Sequence, residues 1–336
     1  MGQNRLFKMT VAEMFAAYPY AEDFFAFLPV RPQPELVLAD LFARLDEDYL
    51  EELGLSRAGL IRQFTEFMGK MEEISRQPEP VTSITILGGH DKDGVEENLA
   101  LTIEAGEIVC IVGPTGSGKS RLLADIEWLA QRDTPTNRQI LINGRQPDSK
   151  RRFAVEQKLV AQISQNMNFV MDLTAAEFVH MHAESRMVEH LEAVTANVLE
   201  IANQLAGEKF RPDTPVTALS GGQSRALMIA DAAFLSVCPI VLIDELENAG
   251  IDRRQALQLL TAKQKIVFMA THDPILALMG ERRMVIKNGG ISKIIATSRQ
   301  ERANLARLEK LDLQLSEIRE ALRRGEKLGT IAFAFD

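Results

Sequence analysis

Residues 107–130, EIVCIVGPTGSGKSRLLADIEWLA, decide how this chain folds. They hold a short continuous apolar run, a glycine-rich loop and a stretch with helical spacing of apolar residues, in that order. The loop, GPTGSGKS at 113–120, satisfies the pattern G-x-x-x-x-G-K-[ST] in the strand–loop–helix context that the pattern requires. Gly113, Gly116 and Gly118, with Pro114, Thr115 and Ser117 between them, let the backbone bend so that successive N–H groups face anionic oxygens. The helix N-terminus adds its positive dipole end. Lys119 can reach the β- and γ-phosphates of a nucleotide, and Ser120 offers a hydroxyl to Mg²⁺. The bland alternative, a glycine-rich turn with an incidental Lys-Ser, does not account for both flanks.

Outward from this loop, strands alternate with helices from about residue 83. SITIL and LALTIEA alternate or nearly so, and QILING reads as a strand ending in an Asn-Gly turn. PIVLID and KIVFMAT are buried-type strands separated by the helical RRQALQLLTAKQ. MVIK, the turn NGG and ISKII predict a closing hairpin. The expected class is α/β with a mainly parallel sheet. Residues 1–77 read as an all-helical domain: VAEMFAAY, PELVLADLFARL and SRAGLIRQFTEFMGKMEEIS carry apolar residues at three- and four-residue spacing. Thr10 and Glu13 predict a capping box, and Ser56 a cap for the long third helix. Two prolines in QPEPVTS predict a linker at 78–82, before a nucleotide-binding domain over 83–298. Residues 299–324 predict a last helix, followed by a tail to 336. Its Leu308, Leu311, Leu315, Ile318 and Leu322 repeat at 3-4-3-4 spacing. A stripe packing on the protein's own body and the seam of a short coiled coil both satisfy that spacing.

Two further stretches carry chemistry. In IDELENAGID, 243–252, Asp244 and Glu245 end an apolar strand, where each charge loses hydration unless a cation compensates. Asp244 can hold Mg²⁺ directly or through water, and Glu245 can polarise an attacking water as general base. The alternative is a solvated strand end. In LSGGQ, 219–223, Ser220, Gly221, Gly222 and Gln223 open a helix and form a second anion-binding terminus. One nucleotide does not need two such cradles from one chain, whereas two chains facing head to tail would use both.

From about residue 83 to 298 the chain resembles the ATP-binding cassette (ABC) ATPase family. The phosphate loop, LSGGQ, PIVLIDE and the THD at 271–273 occur in the family's order and approximate spacing. The resemblance implies a P-loop domain with an antiparallel β subdomain and a helical subdomain beside the mainly parallel sheet. It implies ATP and Mg²⁺ as ligands and a head-to-tail dimer, expected as a homodimer, in which one chain's LSGGQ closes on the γ-phosphate held by the other. Gln165, in VAQISQNMNFVMDLT, matches the glutamine that senses Mg²⁺ and the γ-phosphate, with Gln162 the nearby competitor. His272 matches the switch histidine that contacts the γ-phosphate and helps place the water.

The family usually stacks adenine on an aromatic about two dozen residues before the loop. Here that place falls on GGHDKDG, where His90 is the nearest planar side chain and a mobile polar loop is the other reading. LENAGID is one residue longer than the family's usual segment. Asp252 takes the place of the family's interface aspartate, and Asn248 and Gly250 predict a turn of altered geometry. The resemblance also implies a partner that feels the ATP-driven motion, either a soluble remodelling or maturation target or membrane transporter chains. The alternatives are a transporter's ATP-binding subunit specifically and a non-hydrolysing ATP-sensing switch. At the front, KMTVAEMFAAYPYAEDFFAFL and LVLADLFARLDEDYLEELGLSRAGLIRQF resemble a small helical domain at the N-terminus of iron–sulfur-repair and redox proteins. Those versions often carry a cysteine pair that is absent here, so a helical docking domain is expected without thiol or metal chemistry.

The bulk properties limit the remaining choices. No apolar run approaches the roughly 20 residues of a membrane-spanning helix. MGQNRLFKMTVAEMF lacks a secretory apolar core, and MGQNRL has Leu6 where myristoylation needs Ser or Thr. The expected location is the cytoplasm, at the inner face of the membrane if the partner is membrane-embedded. A net charge of −9 argues against broad nucleic-acid binding. Cys110 and Cys238 lie in or beside apolar runs and read as buried reduced thiols.

Overall fold

The computed structural model describes residues 6–26, 32–47, 50, 54, 56–75, 80–148, 152, 158–164, 169–186, 188–246 and 250–329. The chain divides into two compact units, Met1–Glu79 and Pro80–Asp336.

In the first unit, described helices are α1 (Val11–Ala17), α2 (Ala21–Ala26), α3 (Leu38–Ala43) and α4 (Arg57–Ser75). Thr10 and Glu13 form the expected capping box, with Thr10 N–H to Glu13 Oε2 at 2.9 Å and Glu13 N–H to Thr10 Oγ1 at 3.2 Å. Ser56 Oγ accepts from Gly59 N–H at 3.1 Å at the start of α4. Three of these helices are too short to be stable alone. Their stability comes from a shared core of Met14, Leu38, Phe42, Leu60 and Phe64. The phenylalanines meet edge-on or tilted, as at Phe24–Phe64 (5.1 Å) and Phe42–Phe64 (5.5 Å), geometries that favour the ring quadrupoles.

The second unit holds two sheets. β1 (Ser83–Leu87), β2 (Ala100–Glu104) and β4 (Gln139–Ile142) form an antiparallel sheet in the order β2-β1-β4. On β2, Leu101 and Ile103 turn inward and their neighbours outward, as the period-2 pattern requires. β3 (Ile108–Val112), β5 (Val160–Ile163), β6 (Ile240–Asp244), β7 (Ile266–Ala270), β8 (Arg282–Lys287) and β9 (Gly290–Ala296) form the larger sheet. Its order is β5-β6-β7-β3-β8-β9, parallel except for the β8–β9 hairpin. β3, β6 and β7 are continuous apolar runs because both sheet faces are covered.

α5 (Lys119–Glu127) follows the glycine-rich loop, while α6 (Ala175–Ser185), α7 (Leu191–Leu205) and α8 (Gly221–Phe234) pack around Phe178, Val179, Val198 and Leu227 as a helical subdomain. α9 (Arg253–Ala262) and α10 (Pro274–Met279) flank β7, and α11 (Arg299–Arg323) is the last described helix. Leu308, Leu311, Leu315 and Ile318 on α11 are half-buried and Leu322 is exposed. Burial pushes the Cys110 thiol up to about 12, which leaves it a protonated core group. No helix among the described residues is long and apolar enough to cross a membrane.

Candidate active site

β3 is sandwiched between β7 and β8, so Gly113 leaves the sheet at its carboxyl edge, where open α/β sheets bind ligands. Gly113 has φ +156° and Gly118 φ +110°. A Cβ at Gly113 would lie 2.5 Å from the Ile286 carbonyl oxygen, and one at Gly118 would lie 2.8 Å from Gly289 Cα. The loop's course therefore excludes side chains at both positions. α5 starts at Lys119 with Gly118 as N-cap and no side-chain cap, so its first turn offers N–H donors to an anion. Ser120 is exposed in that turn. Ser117 Oγ is buried with no hydrogen-bond partner among the described residues, a polar atom that a phosphate oxygen would satisfy. Lys119 Nζ donates to the carbonyls of Gly113 (2.9 Å) and Pro114 (3.3 Å) and lies 3.2 Å from His272 Nε2.

The loop is buttressed from behind. Gly289, in the β8–β9 turn, donates its N–H to the Ser117 carbonyl at 2.6 Å. The Gly289 carbonyl in turn accepts from Arg138 Nη2 at 2.7 Å. Arg138 is fully buried and also binds Glu97 Oε1 at 2.6 Å and Asp125 Oδ2, on α5, at 2.8 Å. Glu97 further accepts from the N–H groups of Gly89 and Ile291. Burial pushes the Glu97 carboxyl up, but the bonds from Arg138 and Gly89 outweigh it and hold it below the usual carboxylate range. Lys92 Nζ donates to the Gly116 carbonyl at 3.3 Å from the same side. Glu97, Asp125, Arg138 and Gly289 had no motif to mark them. Only their convergence in space identifies them.

Asp244 closes β6, pairs with Ala270 of β7, and Ala270 pairs with Ile111 of β3. Asp244 thus stands two strands from the phosphate loop at the same sheet edge. Glu245 has φ +53°, and its N–H donates to the Ala270 carbonyl at 3.1 Å. A left-handed conformation costs a non-glycine residue about 1–3 kcal/mol and clusters at functional sites. His272 is exposed, carried off β7 between two anchored neighbours. Thr271 N–H donates to the Ile111 carbonyl at 3.2 Å, and Asp273 Oδ1 accepts from Ile275 N–H at 2.7 Å. Lys119, Asp244, Glu245 and His272 therefore gather at the carboxyl ends of β3, β6 and β7, three adjacent strands.

Ser220 is the N-cap of α8 and exchanges bonds with Gln223, Ser220 N–H to Oε1 at 2.8 Å and Gln223 N–H to Ser220 Oγ at 3.3 Å. Gln223 Nε2 reaches the Glu208 and Lys209 carbonyls. Gly221 faces open space. No bond among the described residues joins Ser220–Gln223 to the phosphate loop. Gln165 and Asn248 lie outside the described residues, and Gln162 is exposed on β5. Gly250 has φ +60°, and its carbonyl accepts from Gly207 N–H at 3.0 Å; Asp252 N–H donates to the Leu205 carbonyl at 2.8 Å. Gly250 and Asp252 are thereby laced to the end of α7 and the residues after it, and the Asp252 carboxylate caps α9. His90 is half-buried, its N–H on the Thr136 carbonyl at 2.8 Å and its Nδ1 3.0 Å from the Asp91 carbonyl.

The sequence profile described as ABC transporter matches residues 97–248. An uncharacterized ABC transporter ATP-binding protein of Methanocaldococcus jannaschii is 51% identical over 249 residues, covering 74% of this chain and 95% of that protein. The chain belongs to the ABC family. As an ABC ATP-binding protein it is an ATPase, and it is also similar to the lipoprotein-releasing system ATP-binding protein LolD of Psychrobacter arcticus. That match is 30% identical over 199 residues, 57% of this chain and 86% of the relative. Among solved structures, an ATP-binding cassette dimer in a post-hydrolysis state bound to ADP and Pi superposes with a TM-score of 0.50 at 25% identity. It covers 64% of this ABC ATPase and 99% of the other chain. The fold is shared with cbiO1 of Clostridium perfringens, part of the ABC transporter complex cbiONQ, at a TM-score of 0.53 and 19% identity over 73% of this chain and 100% of that one.

Proposed function

We propose that this ABC ATPase hydrolyses ATP between two head-to-tail copies and passes the resulting motion to membrane-embedded transporter chains. The observation that carries the reading is the gathering of Lys119, Asp244, Glu245 and His272 at one sheet edge, while Gly221 of the LSGGQ terminus faces open space and no bond among the described residues joins LSGGQ to the phosphate loop. A second copy would supply that terminus to the first copy's nucleotide. The loop N–H groups and Lys119 bind the phosphates, Glu245 takes a proton from water, and His272 holds that water near the γ-phosphorus. The water oxygen bonds to phosphorus as the bond to the β–γ bridging oxygen breaks, giving ADP and phosphate.

Among the described residues no three His, Cys, Asp or Glu gather as a metal cage. One carboxylate, Asp244, and one hydroxyl, Ser120, are hard oxygen donors of the kind Mg²⁺ takes alongside waters and substrate phosphates. Ser120, Asp244 and Gln165 would hold the ion, which supplies charge neutralisation on the phosphate oxygens. Adenine stacking on His90 remains part of this reading, supported by the loop's tie through Lys92 to Gly116.

The transporter reading is supported by relatives named as ABC transporter and lipoprotein-releasing ATP-binding proteins. Unit Met1–Glu79 lies outside the matched profile, which favours a second reading: a soluble partner gripped by that unit. Glu245→Gln should keep ATP binding, stop turnover and accumulate dimers. Trapped with ATP in cells, it should sediment with membranes alongside a polytopic partner. A soluble complex would select the second reading, and unchanged phosphate release would remove Glu245 as the base.

A further inference from the structure

Arg253 links helix α11 to the loop that carries His272. Arg253 opens α9 directly after its Asp252 cap. Its Nη1 donates to Asp273 Oδ2 at 2.7 Å and its Nη2 to Asp312 Oδ2, on α11, at 2.6 Å. The side chains of Arg253, Asp273 and Asp312 are 22%, 17% and 29% exposed. The neighbouring Arg254–Glu309 pair is longer, at 3.4 Å, and Arg254 is 63% exposed. Exposed pairs of that kind contribute little. A planar guanidinium spanning two mostly covered carboxylates is a demanding geometry that only arginine supplies.

Asp273 is committed on both oxygens. Oδ1 caps α10 and Oδ2 takes Arg253, while its N–H donates to Thr271 Oγ1 at 3.0 Å. Between Thr271 and Asp273 lies His272, whose Nε2 is 3.2 Å from Lys119 Nζ. The upstream side of His272 is fixed to β3 through Thr271 N–H. The downstream side is fixed through Asp273, and Asp273 through Arg253. At the far end of this chain of contacts, α11 has no fully buried residue among those described. It is held by half-buried apolar side chains and by the ionic ties Arg283–Glu301, Arg254–Glu309 and Arg253–Asp312. An element held in this way opens at lower free energy than the core sheet.

We propose that Arg253 is a positioning residue which couples α11, through Asp312 and Asp273, to the placement of His272, so that the seating of the C-terminal helix sets the rate of ATP hydrolysis. The inference rests on the role given to His272 above. With α11 seated, the Arg253 fork holds Asp273 and keeps the imidazole over Lys119. With Asp312 withdrawn, the fork keeps one of its two carboxylates, and Asp273, still capping α10, is held less rigidly by Arg253. A partner that displaced α11 would slow turnover without touching the nucleotide.

Steady-state ATPase assays on the full chain test this, with ATP affinity and Tm measured on the same preparations. Asp312→Ala and Arg253→Lys should each lower kcat about tenfold, the scale of a small displacement of a positioning group, and leave KM and ATP affinity within about twofold. Asp312→Glu should restore kcat, and Glu309→Gln should behave as the parent. A lowered Tm with parental kcat, or a raised KM with parental kcat, overturns the coupling. His272→Ala, run alongside, separates the two layers. If it is inactive while Asp312→Ala and Arg253→Lys keep parental kcat, only the coupling fails. If His272→Ala itself turns over at the parental rate, the role of His272 fails and the coupling with it.

Discussion

Replacing Arg138 by methionine removes the guanidinium that holds Glu97 and Asp125 together behind the phosphate loop. All three side chains are almost completely covered, at 0%, 3% and 1% exposure. Removing one partner of a buried ionic cluster costs about 3–5 kcal/mol, because a charge is left without compensation. Here Glu97 keeps the Gly89 N–H bond and Asp125 keeps the Thr136 hydroxyl bond, so the lower end, about 3 kcal/mol, is expected. That is a large share of the roughly 5–15 kcal/mol by which a domain is stable, and urea denaturation followed by circular dichroism resolves it.

The pH dependence fixes the cause. In the parent, the depressed Glu97 pKa contributes stability present above the unfolded value of about 4.3, and lost as pH falls through the lower folded value. Without Arg138, burial pushes the Glu97 carboxyl upward. The variant's deficit should then shrink as pH falls from about 7.5 towards the carboxylate range. Adding Glu97→Gln and Asp125→Asn to Arg138→Met should recover most of the loss, since it leaves no buried charge. Equal urea midpoints for parent and Arg138→Met at about pH 7.5 would exclude charge compensation by Arg138, as would a deficit unchanged in the triple variant.

Further outcomes follow from the same geometry. Gly118→Ala places a Cβ 2.8 Å from Gly289 Cα at φ +110°, so ATP affinity should fall at least about tenfold by titration calorimetry with the circular dichroism spectrum retained. Parental affinity would contradict the close approach. Lys119→Ala should lose ATP affinity in the same assay, and unaltered binding would remove the loop from the account. Bonds from the Ser298 N–H and from Arg283 hold the Glu301 carboxyl down to about 2. Its contribution to seating α11 is full above the unfolded value of about 4.3 and disappears as pH falls towards about 2. A carboxyl NMR titration with a midpoint near the unfolded value would contradict that.

The features legible in the sequence are those whose physics is local. The strand–loop–helix at 108–127, the Thr10 and Ser56 caps, the Asn143-Gly144 turn and the β8–β9 hairpin each depend on residues within a few positions of one another. The position of Asp244 and Glu245 at the end of a buried strand was legible, because the run before them is continuously apolar. The Arg138 cluster was not, since Glu97 is 41 residues away and Gly289 151 residues away, and no spacing rule joins them. NGG read only as a turn, yet its middle glycine both supports the phosphate loop and leaves room for Gly118. The left-handed Glu245 was hidden as well, because glutamate carries no propensity for that conformation and tertiary contacts impose it.

If two copies share a composite site, mixing two variants that are each inactive restores it. Lys119→Ala spoils the phosphate loop but keeps LSGGQ, and Ser220→Arg spoils LSGGQ but keeps the phosphate loop. Each alone should be inactive. Mixed in equal amounts they form heterodimers with one complete site, so phosphate release should reappear at about a quarter of the parental rate, given random pairing and independent sites. A mixture as inactive as its components, with heterodimers demonstrated by differential tagging, would contradict the head-to-tail account.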